Sequence, residues 1–205
     1  MKRFGFTLME VAVAAALIAI LASATVPTFI DYLDMRNAET TAKTLAAIGN
    51  GIVSYEAIVH TNGGTTNVYP DSIHYLTNQI ATTSRNSCGN LYSSVTTTTL
   101  LSTFNSAFPY VSFYIPYGGY TTPLGTIDGV VTRTPATANL GTISITMTGI
   151  DSMDAARLER YIDGDDINIT ANQTGGSFRL IGFTGGGATP KKANVGYVIP
   201  VAAKC

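Results

Sequence analysis

The sequence predicts an α+β protein in which one long N-terminal helix, membrane-spanning in its first half, packs its second half against a C-terminal antiparallel β-sheet head. Three observations predict it. Residues 11–30 carry no charge, and at 1.5 Å rise per residue such a run crosses a hydrocarbon core of about 30 Å. From Ile30 onward apolar residues recur mostly at three- and four-residue steps, through Leu33, Ala38, Ala42, Leu45, Ile48, Ile52 and Tyr55, which is the period of a helix with one buried face. Much later, residues 142–147 alternate, with Ile143, Ile145 and Met147 on one side and Ser144 and Thr146 on the other, the signature of a half-buried strand.

The first element is the apolar run, and one residue in it is out of place. Glu10 puts a carboxylate inside a stretch that is otherwise apolar or small from Phe6 onward. Two ordinary readings leave it unexplained. A signal anchor would hold Lys2 and Arg3 in the cytoplasm, and a secretory signal peptide would be cut after Ala22-Ser23-Ala24, freeing a chain that begins at Thr25. An acid in lipid costs a few kcal/mol on insertion scales, about 3 at the centre and less near the interface. Its presence therefore asks for a partner.

GFTLMEVAVAAALIAILASATVP resembles the N-terminal signature of type IV pilins and type II secretion pseudopilins. The leader is MKRFG, so the resemblance implies cleavage by a prepilin peptidase between Gly5 and Phe6 and N-methylation of Phe6. Glu10 is then the fifth residue after the cut, and Pro27 stands at the spacing of that family's helix-bending proline. The resemblance covers about the first 30 residues. It implies that the Glu10 carboxylate pairs with the N-terminal amine of a neighbouring subunit, since an amine and a carboxylate that are each costly in low dielectric favour one another there. Small residues (Ala12, Ala14, Ala15, Ala16, Ala19, Ala22 and Ala24) permit close helix approach. Pro27 lacks an N–H and is expected to kink or loosen the helix locally.

The implied domains are a leader at 1–5, a transmembrane and assembly helix at 6–30, an amphipathic second half at 31–62 and a β-rich head at 63–205. The implied partners are copies of the chain, related minor pilins, the prepilin peptidase, an inner-membrane assembly platform and membrane lipid. The implied location is the bacterial inner membrane, then a cell-surface or periplasm-spanning filament. Within that class the alternatives are a type II secretion pseudopilin and a minor, tip-located subunit; from a different class, the alternative is a secreted globular binder or enzyme.

Asp31, Asp34, Arg36, Glu39 and Lys43 occupy the polar face of the helix, which should run to about residue 59 and stop at Asn62-Gly63-Gly64. Residues 65–141 read poorly. Ser94-Val95-Thr96-Thr97-Thr98-Thr99 is low in complexity, and residues 111–115 are a candidate strand between Pro109 and Pro116. Tyr117 and Tyr120 are read as packing residues, with adhesion as the alternative. After the strand at 142–147, a short helix is predicted through Ala155, Leu158 and Ile162, N-capped by Asp151 or Ser152 and ended by Asp163-Gly164. Residues 178–183 and 195–201 are further strands, joined through Gly185-Gly186-Gly187. An antiparallel sheet across the second half of the helix is the most economical architecture.

Composition narrows the function classes. Only 12% of the residues are charged and the net charge is −1, with no basic stripe to suggest nucleic acid. Cys88 and Cys205 are the only cysteines and are too far apart for a close-spaced zinc pattern. In an exported protein they most simply form one disulfide, contributing roughly 4–5 kcal/mol in the chain-entropy model; the alternative is a pair of free thiols. Asp163, Asp165, Asp166 and Asn168 cluster oxygen donors without the closing glutamate of an EF-hand, so a solvated turn is the plainer reading than calcium. His60 and His74 sit in no metal or catalytic frame, and no nucleophile elbow, P-loop or dinucleotide motif is present. No catalytic residue, cofactor or metal ligand is expected. Asn168-Ile169-Thr170 and Asn172-Gln173-Thr174 match the glycosylation sequon, and Lys191-Lys192 is a solvated loop.

Overall fold

The structure is a computed structural model, and it describes residues 7–61, 69–80, 84, 86, 109–134, 140–164, 176–184 and 192–202. The predicted disulfide cysteines Cys88 and Cys205, the cleavage pair Gly5 and Phe6, and Asp165, Asp166 and Lys191 lie outside them. So do both sequons, the triple glycine, the 94–99 repeat and the side chain of His60.

Helix α1 spans Leu8–Thr61, as its periodicity predicts. The chain divides into two compact units, Met1–Asn37 and Ala38–Cys205. In the first, every helical residue from Leu8 to Leu33 is exposed, including Leu17, Ile18, Ile20, Leu21 and Phe29. The helical assignment continues without a break through Pro27; the ring removes the one N–H that the Ser23 carbonyl would accept. Hydroxyls in this apolar stretch bond back to their own helix: Ser23 Oγ donates to the Ile20 carbonyl (2.8 Å), Thr25 Oγ1 to Leu21 (3.0 Å) and Thr28 Oγ1 to Thr25 (2.9 Å). Each polar group is thereby satisfied without water, as a lipid environment requires.

In the second unit, residues 38–61 of α1 bury Ala38, Ala42, Leu45, Ile48, Ile52 and Tyr55. The predicted face is right from Ala38 onward; Ile30 and Leu33 are exposed instead, because they belong to the first unit. The sheet has five strands, β1 (Gly119–Thr122), β2 (Gly125–Thr134), β3 (Leu140–Asp151), β4 (Phe178–Thr184) and β5 (Lys192–Ala202). Their order is β1-β2-β3-β5-β4, and every pairing is antiparallel. Gly49 sits where β5 crosses α1: a Cβ there would lie 2.9 Å from the Tyr197 ring, so close approach requires the missing side chain. Ile143, Ile145 and Met147 are buried as their alternation predicts, joining Phe178, Leu180, Val195 and the α1 face in one core.

Helix α2 (Ser152–Ile162) is N-capped by Asp151, whose carboxylate accepts from the Met153 N–H; Ala155 and Leu158 are buried. Two expectations change. Residues 111–115 bury Val111 and Ile115 but form no strand. Pro109 and Pro116 lack donors, and the segment's N–H groups go elsewhere, Tyr110 to the Leu76 carbonyl (2.7 Å) and Ile115 to Thr77 Oγ1 (3.1 Å). The β1–β2 hairpin, by contrast, lies in sequence that read as irregular. Of the two tyrosines, Tyr120 packs on Phe113 at 4.6 Å, whereas Tyr117 is 78% exposed.

Beside β2, Ser72 N-caps a 3₁₀ turn at Ile73–Leu76, and Asp71 takes the Val131 N–H on its carbonyl (2.9 Å). Its side-chain Oδ1 is buried without a hydrogen-bond partner. Burial raises the Asp71 pKa above the usual aspartate value, opposed by its own main-chain N–H. The folded state therefore binds a proton more tightly than the unfolded state, so this group's contribution to stability falls as pH rises through that window. Asp71→Asn should melt at a higher temperature than the parent at neutral pH, with the advantage vanishing at pH values below the ordinary aspartate range. Paired thermal melts across pH measure it, and a constant gap would refute the assignment.

Candidate functional site

The first turn of α1 fixes the position of Glu10. Thr7 precedes the helix, and three residues later Glu10 reaches back to it. The Thr7 N–H donates to Glu10 Oε2 (2.8 Å), Thr7 Oγ1 donates to the same oxygen (3.0 Å), and the Glu10 N–H donates to Thr7 Oγ1 (3.3 Å). This is a reciprocal capping box, in which two otherwise orphan donors of the helix start are satisfied by side chains. A negative group there also complements the positive end of the helix dipole. Thr7 was missed as a site residue in the sequence reading, although the Thr-x-x-Glu spacing ahead of an apolar run is the signal that finds it.

The box leaves Glu10 half-used. Oε2 takes both bonds from Thr7, and Oε1 accepts none among the described residues. Met9, Val13, Ala14 and Leu17 line a shallow groove with Thr7 and Glu10, so the carboxylate stands at one end of an apolar stripe. A helix this long and apolar, with its most apolar window wholly exposed, meets the length and composition needed to cross a membrane. Chemically, the arrangement offers an anionic acceptor at a helix start, with one oxygen held by its own chain and one open to a donor from outside. Pro27 lies five turns further along the same helix, well away from the carboxylate.

Of the oxygen donors after α2, Asp163 is the one among the described residues, and it has a different use. Asp163 Oδ1 accepts from the Ser177 N–H (3.2 Å) and Oδ2 from the Phe178 N–H (2.8 Å). Both oxygens are thus tied to the start of β4, so Asp163 serves a structural role there. Among the described residues no group of three acidic, histidine or cysteine side chains could hold a metal. Asp163→Ala should leave two main-chain donors unanswered and lower stability by about 2–4 kcal/mol. Burial, and then the Asp163 charge, also raise the pKa of Tyr197, so the same variant should bring that phenol's titration down. Thermal melts and tyrosinate absorbance read the two effects; unchanged values for both would refute the role given to Asp163.

His74 is a satisfied structural residue. Its Nδ1 lies 2.9 Å from the Ile115 carbonyl oxygen, and the Asn78 amide caps the His74 and Ile115 carbonyls.

In comparison with known families, residues 1–26 fit the model described as the prokaryotic N-terminal methylation motif, the signature of type IV pilin and pseudopilin precursors. No curated protein and no solved structure matches the chain. The long apolar helix and the five-stranded antiparallel sheet are consistent with an α+β, pilin-like fold.

Proposed function

We propose that this chain is a structural subunit of a type IV pilus-like filament, anchored in the bacterial inner membrane and then polymerised through α1. The reading rests on the methylation motif over residues 1–26 standing at the head of a helix whose most apolar window is entirely exposed. Exposed apolar surface of that extent needs lipid or other chains to cover it, and a filament supplies both in turn. A prepilin peptidase cuts between Gly5 and Phe6, Phe6 is methylated, and the helix leaves the bilayer for a bundle of its own kind, with an assembly platform and related minor pilins as further partners.

In that bundle Glu10 Oε1 receives the amine of a neighbouring Phe6 while Thr7 keeps hold of Oε2. The pairing sets axial register, and apolar packing supplies the adhesion. Pro27 is the place where the helix loosens when the fibre is loaded. Cys88 and Cys205 close the head with a disulfide, which non-reducing peptide mass mapping would detect.

N-terminal mass analysis of the mature protein tests the reading. Methylated Phe6 as first residue is the expected result; Thr25 as first residue would mean a soluble secreted protein and overturn it. Electron microscopy of cells lacking the gene separates a long pilus, whose fibres disappear, from a secretion pseudopilus, which leaves surface fibres unchanged.

A further inference from the structure

The exposed half of α1 is bounded by charge at both ends. Residues 11–30 carry none. Glu10 stands before that run, and Asp31 and Arg36 stand after it, both exposed. Among the described residues no hydrogen bond or ion pair engages Asp31.

The spacing of Asp31 and Arg36 keeps them from each other within one helix. Glu39 and Lys43, four residues apart, pair along α1 at 2.6 Å, as helix neighbours three or four apart do. At five residues apart, Asp31 and Arg36 are separated by about 140° around the helix axis. Each therefore meets a different neighbour when parallel helices pack side by side. An acid on one flank and a base on another suit a heterologous contact, in which one copy gives the acid and the next gives the base. Such a contact repeats along an open fibre.

The axial spacing agrees with the pairing proposed for Glu10. An amine at residue 6 level with Glu10 of the next copy staggers the two chains by four residues, about 6 Å. On the same scale Arg36 lies about 7.5 Å beyond Asp31 along the axis. The stagger thus brings Asp31 of the copy that supplies the amine to within about 1.5 Å of the level of Arg36 on the copy that supplies Glu10. A long guanidinium side chain spans that difference, and its five N–H donors let it hold a neighbour's carboxylate alongside a bond within its own chain. Apolar contacts between the two charged ends are non-directional and do not by themselves forbid a slide along the axis.

Building on the filament reading and its stagger between Phe6 and Glu10, we propose that Asp31 of one copy pairs with Arg36 of the next. The pair is a second register lock, at the far end of the apolar run. A slide by one turn breaks both locks together.

Charge reversal in the full-length chain, produced in the native cells, tests the second lock. Asp31→Arg and Arg36→Asp each set like charges opposite one another and should cut the yield of sheared fibres about tenfold or more. The double variant restores opposite charges with the partners exchanged and should recover most of the parental yield. Membrane fractionation and N-terminal mass analysis should show normal anchoring and methylated Phe6 in all three variants, which separates a failed lock from failed insertion or processing. Parental yield from both single variants, with Glu10→Gln making no fibres, would overturn the second lock and leave the filament reading standing. Absent recovery in the double variant would overturn it too, because each residue would then act independently of the other. Loss of anchoring in the single variants would assign the two charges to lipid headgroups and end the pairing. A parent chain that makes no fibres would remove the filament reading and this pair with it.

Discussion

Glu10→Gln is expected to insert into the membrane normally and to abolish filament assembly. The substitution separates the capping role that the structure shows for this side chain from the pairing role proposed for it. Glutamine can still accept from Thr7, because a capping box works with either residue at its third position, so the start of α1 stays intact. What disappears is the charge on the open oxygen. An amine and a carboxylate about 4 Å apart are worth about 4 kcal/mol at an effective dielectric of 20. Removing one member of a desolvated pair costs about 3–5 kcal/mol, because the other is left buried and alone. Per subunit interface that is about two to four orders of magnitude in affinity, enough to stop polymerisation. Membrane fractionation should show normal anchoring, while sheared-fibre preparations and electron micrographs should show no filaments. Thr7→Ala is the complementary change, since it weakens the cap and keeps the charge; it should lower assembly far less. Fibres from Glu10→Gln in normal number would end the pairing account.

Phe178→Ala is expected to destabilise the head strongly. Phe178 is fully buried at the start of β4, paired in register with Tyr197 on β5. Deleting a buried phenylalanine costs about 3–5 kcal/mol through lost transfer energy and an unfilled cavity. A domain's whole stability is about 5–15 kcal/mol. The melting temperature of the detergent-solubilised protein should therefore fall by roughly 10 °C or more. Phe178→Leu, which keeps most of the volume, should lose less than half as much. The main-chain bond from Phe178 to Asp163 survives both changes, so the difference isolates packing. Equal melting of Phe178→Ala and the parent would mean that the sheet does not depend on this contact.

Legibility differed along the chain, and the reasons are physical. The face of α1 from Ala38 to Tyr55 could be read because its burial follows a single period, with polar residues opposite. Strand β3 was readable because Ile143, Ile145 and Met147 alternate without interruption. Strand β2 was not. Its buried positions run Ile127, Gly129, Val131, so glycine stands where an apolar side chain would have revealed the period, and the register slips between Ile127 and Val131. Residues 111–115 misled in the opposite direction. Their alternation is real, with Val111 and Ile115 inside, but alternation reports which side chains are buried and says nothing about which backbone will pair with them.

What the sequence determined by itself was the local order. A charge-free helix long enough for a bilayer, an acid placed with Thr7 at its start, the caps and stops of both helices, and the strands with intact alternation all depend on neighbours a few residues away. The tertiary structure alone decided matters between distant segments. It set the order that inserts β5 between β3 and β4, the commitment of both Asp163 oxygens to β4, and the burial of Asp71 Oδ1 beside β2. Hydrogen-bond partners and desolvation are properties of what folding brings together, and no periodicity along the chain encodes them.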